Sequence, residues 1–162
     1  VCFVHGAGMD HAVWTLFVRW FARNGYNALA VDLRGHGRSG GAALERIEAM
    51  ADWLLGLLEA VGVHEVVLAG HSMGSLLALQ AAATGGAKVR KLALLGFGYP
   101  MPVGAPLLDA ARANDHAAVD MMTIWGHDAG AQFGGHQMPG LSISTITKRR
   151  LEAARPGVLF AD

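Results

Sequence analysis

The chain has 162 residues, 52% of them hydrophobic and 16% charged, and its 13 basic residues balance its 13 acidic residues. This composition is typical of one globular domain with a substantial core, and it excludes an intrinsically disordered chain. No basic stripe favours nucleic acid or an anionic membrane as a partner, and no apolar run approaches the roughly 20 residues that a membrane span needs.

Apolar periodicity predicts alternating strands and helices along the first part of the chain. The strands are predicted at 1–4, 27–31, 65–69 and 89–95, and the helices at 11–23, 44–61 and 72–83. Short connections between such elements are typical of right-handed βαβ units. We therefore predict an α/β fold, in which helices cover a parallel sheet.

After Gly98 the pattern changes to a proline-rich linker followed by helical segments. Helices are predicted over 107–118 and 119–125, and Ser142 is a candidate cap for a last helix that stops before Pro156. The prediction is a helical subdomain attached to a core. The core covers residues 1–98, the helical subdomain covers 99–157, and residues 158–162 return to the core.

Both ends of the sequence are expected to be cut, because Val1 already lies inside an apolar run and the final residues GVLFAD begin a new segment. The lack of a signal peptide is therefore uninformative. The single cysteine, Cys2, excludes an internal disulfide and favours a reducing compartment, so the expected location is the cytoplasm. Nothing in the sequence predicts an oligomeric state.

The segment Gly70-His71-Ser72-Met73-Gly74 fits the pattern G-x-S-x-G between a predicted strand and a predicted helix. In a nucleophile elbow the serine occupies a strained strand-to-helix turn, and glycines two positions to either side leave room for it. We therefore predict that Ser72 is a nucleophile and that Gly70 and Gly74 are the elbow glycines. The alternative is an ordinary glycine-flanked serine in a strand–helix turn.

A second glycine motif, His5-Gly6-Ala7-Gly8, follows the first predicted strand. A serine nucleophile generates an oxyanion, which two preorganised backbone N–H groups stabilise best. The predicted donors are the N–H of Met73, directly after the nucleophile, and the N–H of Ala7, whose neighbouring glycines allow close approach. The alternative is a plain glycine turn in which His5 is a hydrogen-bonded structural histidine.

Three motifs in order, HGAG, then DLRGHGRS after the second strand, then GHSMG, resemble the α/β-hydrolase superfamily. The resemblance is strong over residues 1–98 and looser over the helical segment, which is similar to the cap that such enzymes insert. It implies a serine hydrolase whose acid and histidine come later in the chain than the serine. For Asp32, Arg34 and His36 it implies a structural role. A serine at the elbow, rather than an aspartate, argues against epoxide hydrolases and haloalkane dehalogenases.

The segment 35–40, Gly-His-Gly-Arg-Ser-Gly, also satisfies G-x-G-x-x-G, a pattern found in dinucleotide-binding turns. Three residues separate it from the preceding strand, however, and the acid Glu59 lies in a predicted helix instead of at a strand end. The nucleotide interpretation is therefore disfavoured. We predict no cofactor and no metal.

Serine catalysis needs a histidine within hydrogen-bond reach and an acid that orients it. The segment after the fourth strand, Gly96-Phe97-Gly98, offers no carboxylate. The other downstream candidates fall in the helical segment, and they are Asp109, Asp115, His116, Asp120, His127, Asp128 and His136. His127 is the best of these, yet a solvated polar position is the favoured interpretation of each. We predict that the triad histidine and acid are absent from this chain, and that these residues alone are inactive.

Met101, Met122 and Trp125 are core residues by default, but a cap over the site would present some of them to an apolar substrate. The sequence thus predicts an esterase- or lipase-like serine hydrolase. Its predicted substrate is a small to medium apolar ester or related carbonyl compound, cleaved through an acyl-enzyme. The subtype stays open, because acyl transfer, perhydrolysis, amide cleavage and C–C bond hydrolysis share this machinery. The alternative is a non-catalytic ligand-binding or regulatory module on the same fold.

Overall fold

A computed structural model describes residues 1–132 and 142–162, and its centre is a four-stranded parallel sheet. The strands are β1 (Cys2–Val4), β2 (Leu29–Val31), β3 (Val66–His71) and β4 (Val89–Leu95). Their order across the sheet is β2-β1-β3-β4, so β1 and β3 are central. The register pairs Val4 with Gly70, which sets the HGAG motif beside the GHSMG motif. The predicted α/β fold with a parallel sheet is confirmed.

Eight α-helices lie in the described part of the chain, together with two short 3-10 turns at His11–Trp14 and Gly86–Lys88. The helices are α1 (Thr15–Arg23), α2 (Ile47–Ala60), α3 (Met73–Gly85), α4 (Ala105–Arg112), α5 (His116–Trp125), α6 (Ala129–Gln132), α7 (Ile143–Glu152) and α8 (Val158–Ala161). Ser142 caps α7 as predicted, since its side chain accepts a hydrogen bond from the Thr145 N–H. No described helix has the length and apolar character needed to cross a membrane.

The two faces of the sheet carry different clusters, because successive side chains of β1 point in opposite directions. Helices α2 and α3 cover one face and bury the larger cluster. It includes Cys2, Val4, Leu33, Leu54, Leu58, Leu68 and Leu77. On the other face Phe3, Trp14 and Ala69 form a smaller cluster, and the Phe3 and Trp14 ring centroids lie 5.0 Å apart. β1 is therefore buried on both faces, as its continuous apolar run predicts.

Two predicted helix boundaries are wrong. The single helix predicted over 107–118 is interrupted, because Asn114 has a left-handed φ of 53° and Asp115 caps the first turn of α5. Asparagine tolerates this conformation better than most residues, which favours a break at that position. Helix α2 begins at Ile47, later than predicted, although Leu44 ahead of it still packs against the core.

The helices after β4 pack on one another and against the loops at the carboxyl edge of the sheet. Helix α5 contacts both α4 and α7. The Arg150 side chain pairs with Asp10 in the loop after β1, and Arg155 donates to the Gly37 carbonyl oxygen in the loop after β2. This segment therefore lies beside the HGAG turn. Its assignment as a separate cap domain beginning at residue 99 stays a prediction.

Candidate active site

Ser72 occupies the sharp turn between β3 and α3, and its backbone is strained. Its φ of 53° and ψ of −122° lie in a region that residues with a side chain rarely adopt, at a cost of about 1–3 kcal/mol. The Ser72 N–H donates to the Leu95 carbonyl oxygen at 2.9 Å, and its own carbonyl oxygen accepts from the Ser75 N–H at 2.8 Å. These bonds hold the turn from both sides. This is the backbone geometry that the G-x-S-x-G pattern predicts.

Gly70 and Gly74 allow the strand, the turn and the helix to pack on each other. A Cβ atom at Gly70 would overlap the Gly74 carbonyl oxygen and lie 2.7 Å from the Ser75 nitrogen. A Cβ atom at Gly74 would overlap the His5 carbonyl oxygen and lie 2.6 Å from that of Val4. All of these obstacles are backbone atoms, which cannot rotate away. The start of α3 therefore packs directly on the end of β1, where no larger residue fits.

The HGAG turn lies next to Ser72. A Cβ atom built on Gly6 would be 3.2 Å from the Ser72 Cβ, and a hydrogen bond from the Met9 N–H to the Gly6 carbonyl oxygen closes the turn at 3.2 Å. Within the described residues the Ala7 N–H has no acceptor. Met73 is the first residue of α3, so its N–H has no acceptor within the helix. Among the described residues, neither of the two predicted oxyanion donors at the carboxyl edge of the sheet has a hydrogen-bond acceptor.

His5 is buried, and both of its ring nitrogens are used by the backbone. Its Nε2 accepts a hydrogen bond from the Leu33 N–H at 3.1 Å, and its Nδ1–H donates to the Gly6 carbonyl oxygen at 2.9 Å. Burial lowers the pKa of His5, which favours the neutral ring that this pattern requires. His5 thus connects β1 to the loop after β2 and supports the HGAG turn.

Asp32 organises the loop that follows β2. Its carboxylate accepts hydrogen bonds from the His11 N–H at 2.7 Å and the Arg38 N–H at 2.9 Å. Burial acts to raise the pKa of Asp32, but the hydrogen bonds from Arg38 and His11 outweigh it and lower that pKa. A Cβ atom at Gly37 would lie 2.5 Å from the Asp32 carboxylate. The glycines of residues 35–40 therefore wrap the loop around Asp32. The next helix after them, α2, begins only at Ile47, whereas a dinucleotide-binding turn leads directly into a helix.

Asp10, His11 and Asp32 bring three possible ligand atoms within 4.8 Å of one another. Each acid already has partners in the protein, since Asp10 accepts from the Ala12 N–H and pairs with Arg150. This cluster therefore anchors the loops after β1 and β2, and the hydrogen bonds account for its geometry.

The downstream acids and His116 serve the helices that carry them. Asp115 caps α5, and Asp128 accepts from the Ala131 N–H in α6. The side-chain pairs are Asp109 with Arg112, His116 with Asp120 and Glu152, and Lys148 with Asp120. His136 lies outside the described residues. None of the described pairs includes Ser72.

His127 lies close enough to His71, the residue before Ser72, to affect the ionisation of His71. Burial lowers the pKa of His71, and the charge of His127 lowers it further. The His127 Nδ1–H donates to the Thr123 carbonyl oxygen at 2.8 Å, which holds the ring against the end of α5. No hydrogen bond within the described part of the chain joins His127 to Ser72.

The three predicted substrate-lining residues differ in exposure. Met101 and Met122 are half-buried, whereas the Trp125 side chain is 60% exposed. A surface groove of about 450 Å³ lies between α4, α5 and α7, and Ser72 is not among its lining residues. The role of these three residues in substrate binding stays a prediction.

Asp162 joins the site without any motif that predicts it. The residue follows α8, and its carboxylate accepts a hydrogen bond from the Gly8 N–H of the HGAG turn at 2.7 Å. It also pairs with His36, 126 positions earlier in the chain, at 2.8 Å. A contact of such long range leaves no periodicity or spacing in the sequence from which it could be found.

A model of the alpha/beta hydrolase fold family matches residues 1–133. The chain belongs to this family, and its sheet is part of an α/β-hydrolase core. The enol-lactonase from Burkholderia xenovorans has a similar structure, with a TM-score of 0.76 and 20% identity over 99% of this chain and 62% of that one. At this identity the likeness supports the fold.

Curated relatives are more similar in sequence over shorter stretches. An (E)-2-((N-methylformamido)methylene)succinate hydrolase of Acinetobacter baylyi is 31% identical over 97 residues, which are 59% of this chain and 36% of that protein. A 2-hydroxy-6-oxononadienedioate/2-hydroxy-6-oxononatrienedioate hydrolase of Burkholderia vietnamiensis is 34% identical over 120 residues, which are 66% of this chain and 42% of that protein. The matches thus cover less than half the length of these two relatives.

Proposed function

We propose that this chain carries the nucleophile and the oxyanion-binding groups of a serine hydrolase. The observation that carries the proposal is the strained backbone of Ser72, held next to the HGAG turn, together with the N–H groups of Ala7 and Met73, which have no acceptor among the described residues. Membership of the α/β-hydrolase family and relatives named as hydrolases support the same reaction class.

In the proposed reaction the Ser72 hydroxyl oxygen attacks the substrate carbonyl carbon, and its proton passes to a histidine base. The carbonyl electron pair moves to oxygen, and the resulting oxyanion accepts hydrogen bonds from the Ala7 and Met73 N–H groups. Collapse of this intermediate expels the alcohol, which takes the proton from the histidine, and leaves an ester on Ser72. Water then attacks the ester in the same way and releases the acid.

The dipole of α3 contributes to this chemistry. Its first residue is Met73, so the positive end of a 13-residue helix points at the carboxyl edge where the oxyanion forms. The elbow glycines bring this helix end into contact with β1, and therefore close to the second donor at Ala7. Developing negative charge would be stabilised by groups that need no rearrangement.

The histidine and the acid of the triad are proposed to lie outside residues 1–162. The described downstream acids and His116 are engaged within the helices, and His127 is held by the end of α5. The family resemblance also puts the acid and the histidine later than the serine. We expect the isolated 162 residues to be inactive.

The proposed substrate is a small to medium apolar ester or a related carbonyl compound. The apolar preference rests on Met101, Met122 and Trp125 in the helical segment. The two curated relatives are named instead for a succinate and for nonadienedioates. Hydrolysis of p-nitrophenyl butyrate, compared with mono-p-nitrophenyl succinate, measures this preference. A faster reaction of the succinate ester would contradict the apolar assignment.

The proposal is tested in the protein at its full natural length with a fluorophosphonate probe and with both esters. Wild type is expected to be labelled and to hydrolyse at least one ester, and Ser72→Ala to do neither. Ser144→Ala is the matched control, because within the described residues the Ser144 hydroxyl is hydrogen-bonded only to the hydroxyl of Ser142, the N-cap of α7. A folded wild-type protein that is neither labelled nor active would favour the ligand-binding module instead.

A further inference from the structure

A buried ion pair connects the end of α8 to the loops after β1 and β2. The His36 Nε2 lies 2.8 Å from the Asp162 Oδ2, and the two side chains are 1% and 0% exposed. The same Asp162 oxygen accepts a hydrogen bond from the Gly8 N–H at 2.7 Å. One carboxylate oxygen therefore binds a histidine and the backbone of the HGAG turn together.

The donors and acceptors around His36 require a charged ring. Its Nδ1 lies 3.1 Å from the Arg34 carbonyl oxygen, and its Nε2 faces the Asp162 carboxylate. Both partners are acceptors, so both ring nitrogens carry hydrogen. Burial acts to lower the pKa of His36, but the hydrogen bond and the negative charge of Asp162 outweigh it and raise that pKa. An asparagine at position 162 would keep the shape and lose the charge that holds His36 protonated.

The bond from Gly8 to Asp162 fixes the conformation of the HGAG turn. Gly8 has a φ of 65° and is the second central residue of the turn from Gly6 to Met9, a position that needs positive φ in a type II turn. Its N–H belongs to the central peptide of that turn, directly after Ala7. Rotation of this peptide would change the ψ angle of Ala7 and the φ angle of Gly8, and with them the shape of the turn that carries the Ala7 N–H.

The other polar contacts described between the helical segment and this region reach the loops around the turn and not its central peptide. Arg150 pairs with Asp10 and Arg155 donates to the Gly37 carbonyl oxygen, both with part of their side chains exposed. Leu151 packs where a Cβ atom of Gly8 would be, at 2.8 Å, but supplies no polar contact. Among the described side chains, Asp162 alone donates or accepts a hydrogen bond at the turn's central peptide.

We propose that Asp162, held in place by His36, is a positioning residue that orients the oxyanion-binding turn of Gly6 to Met9. It acts through the Gly8 N–H and does not touch the substrate. This inference rests on the proposed function, in which the Ala7 N–H binds the oxyanion.

The test uses the protein at its full natural length and the variants Asp162→Asn and His36→Gln. Asp120→Asn is the matched control, because Asp120 is a partly exposed carboxylate on α5 that contacts Lys148 and His116. Both test variants are expected to lower kcat for p-nitrophenyl butyrate about 10- to 100-fold, with KM within about threefold of wild type. The control is expected to keep the wild-type kcat.

Amide hydrogen exchange supplies a readout that does not depend on activity. Asp162→Asn is expected to speed exchange of the Gly8 amide and to leave amides of β3 protected. Unchanged kcat, or unchanged exchange at Gly8, would overturn the inference. If Asp162→Asn unfolds at the assay temperature, the same measurements are made in a stabilising osmolyte. Equal kcat for the variant and the wild type under that condition would overturn the inference about Asp162. An unreactive wild type contradicts the proposed function instead, and the exchange at Gly8 still decides the role of Asp162.

Discussion

Replacement of Gly74 by alanine tests whether the elbow packs on β1 as described. The added methyl carbon would lie 2.6 Å from the Val4 carbonyl oxygen and closer still to that of His5, whereas ordinary contact begins at 3.4 Å. The backbones of α3 and β1 must therefore separate by about 1 Å, and overpacking of this kind costs about 1–3 kcal/mol. The displaced segment of β1 leads directly into the HGAG turn. Because a shift of about 1 Å can lower a rate 100-fold, we expect a loss of that order in labelling of Ser72.

Gly56→Ala is the matched control for this substitution. Gly56 lies inside α2, and a Cβ atom there would meet nothing within 4 Å. Alanine should therefore raise the free energy of unfolding by about 0.5–1 kcal/mol through helix propensity, without an effect on labelling. Urea unfolding and fluorophosphonate labelling rates measure both variants at full natural length. A Gly74→Ala protein as stable and as reactive as wild type would refute the packing described for the elbow.

Three further predictions concern buried ionisable groups. Burial acts to lower the pKa of His36, but Asp162 outweighs it and raises that pKa. The stabilising contribution of His36 should thus be complete below its unfolded pKa of about 6.5 and disappear as pH rises through the higher folded pKa. The stability difference between wild type and His36→Gln should shrink as pH rises above about 6.5. The other ionisable groups around His36 are common to both proteins, and they are His5, Asp32, Arg150 and Arg155. A stability difference that does not change with pH would therefore contradict the ion pair. Asp32→Asn should lower the free energy of unfolding by about 1–3 kcal/mol at neutral pH, because hydrogen bonds from Arg38 and His11 outweigh burial and lower the pKa of Asp32. That loss should vanish as pH falls through the folded pKa of Asp32, and equal urea midpoints at neutral pH would argue against its role in the loop. Cys2 is 1% exposed and burial raises its pKa to about 12, so Ellman's reagent should modify it only after unfolding. Rapid modification of the folded protein would contradict its burial.

The arrangement of the sheet and the elbow could be predicted because local patterns determine both. Parallel strands place their carboxyl ends on one edge, so motifs that follow successive strands converge there. This is how Ser72 and Ala7, far apart in sequence, could be predicted as neighbours. The requirement for glycine at Gly70 and Gly74 follows from the same turn, since any side chain there would meet backbone atoms.

Features that depend on long-range contacts could not be predicted. The pairing of His36 with Asp162 spans 126 positions, and neither residue has a spacing that indicates the other. The periodicity of α1 correctly predicts a helix but not which residues it buries. Leu16 and Trp20 are 60% and 58% exposed, whereas Trp14 just before the helix is buried. The break before α5 depends on the left-handed conformation of Asn114, which local sequence permits but does not require.

The most direct test of the central claim is to locate the covalent adduct by peptide mass spectrometry after fluorophosphonate treatment of the protein at full natural length. We expect one modified serine, Ser72, in the peptide that spans the turn between β3 and α3. We also expect that Ser72→Ala leaves every other serine unmodified while the protein remains folded. An adduct on a different serine, or a folded wild type without any adduct, would contradict the claim that Ser72 is the nucleophile.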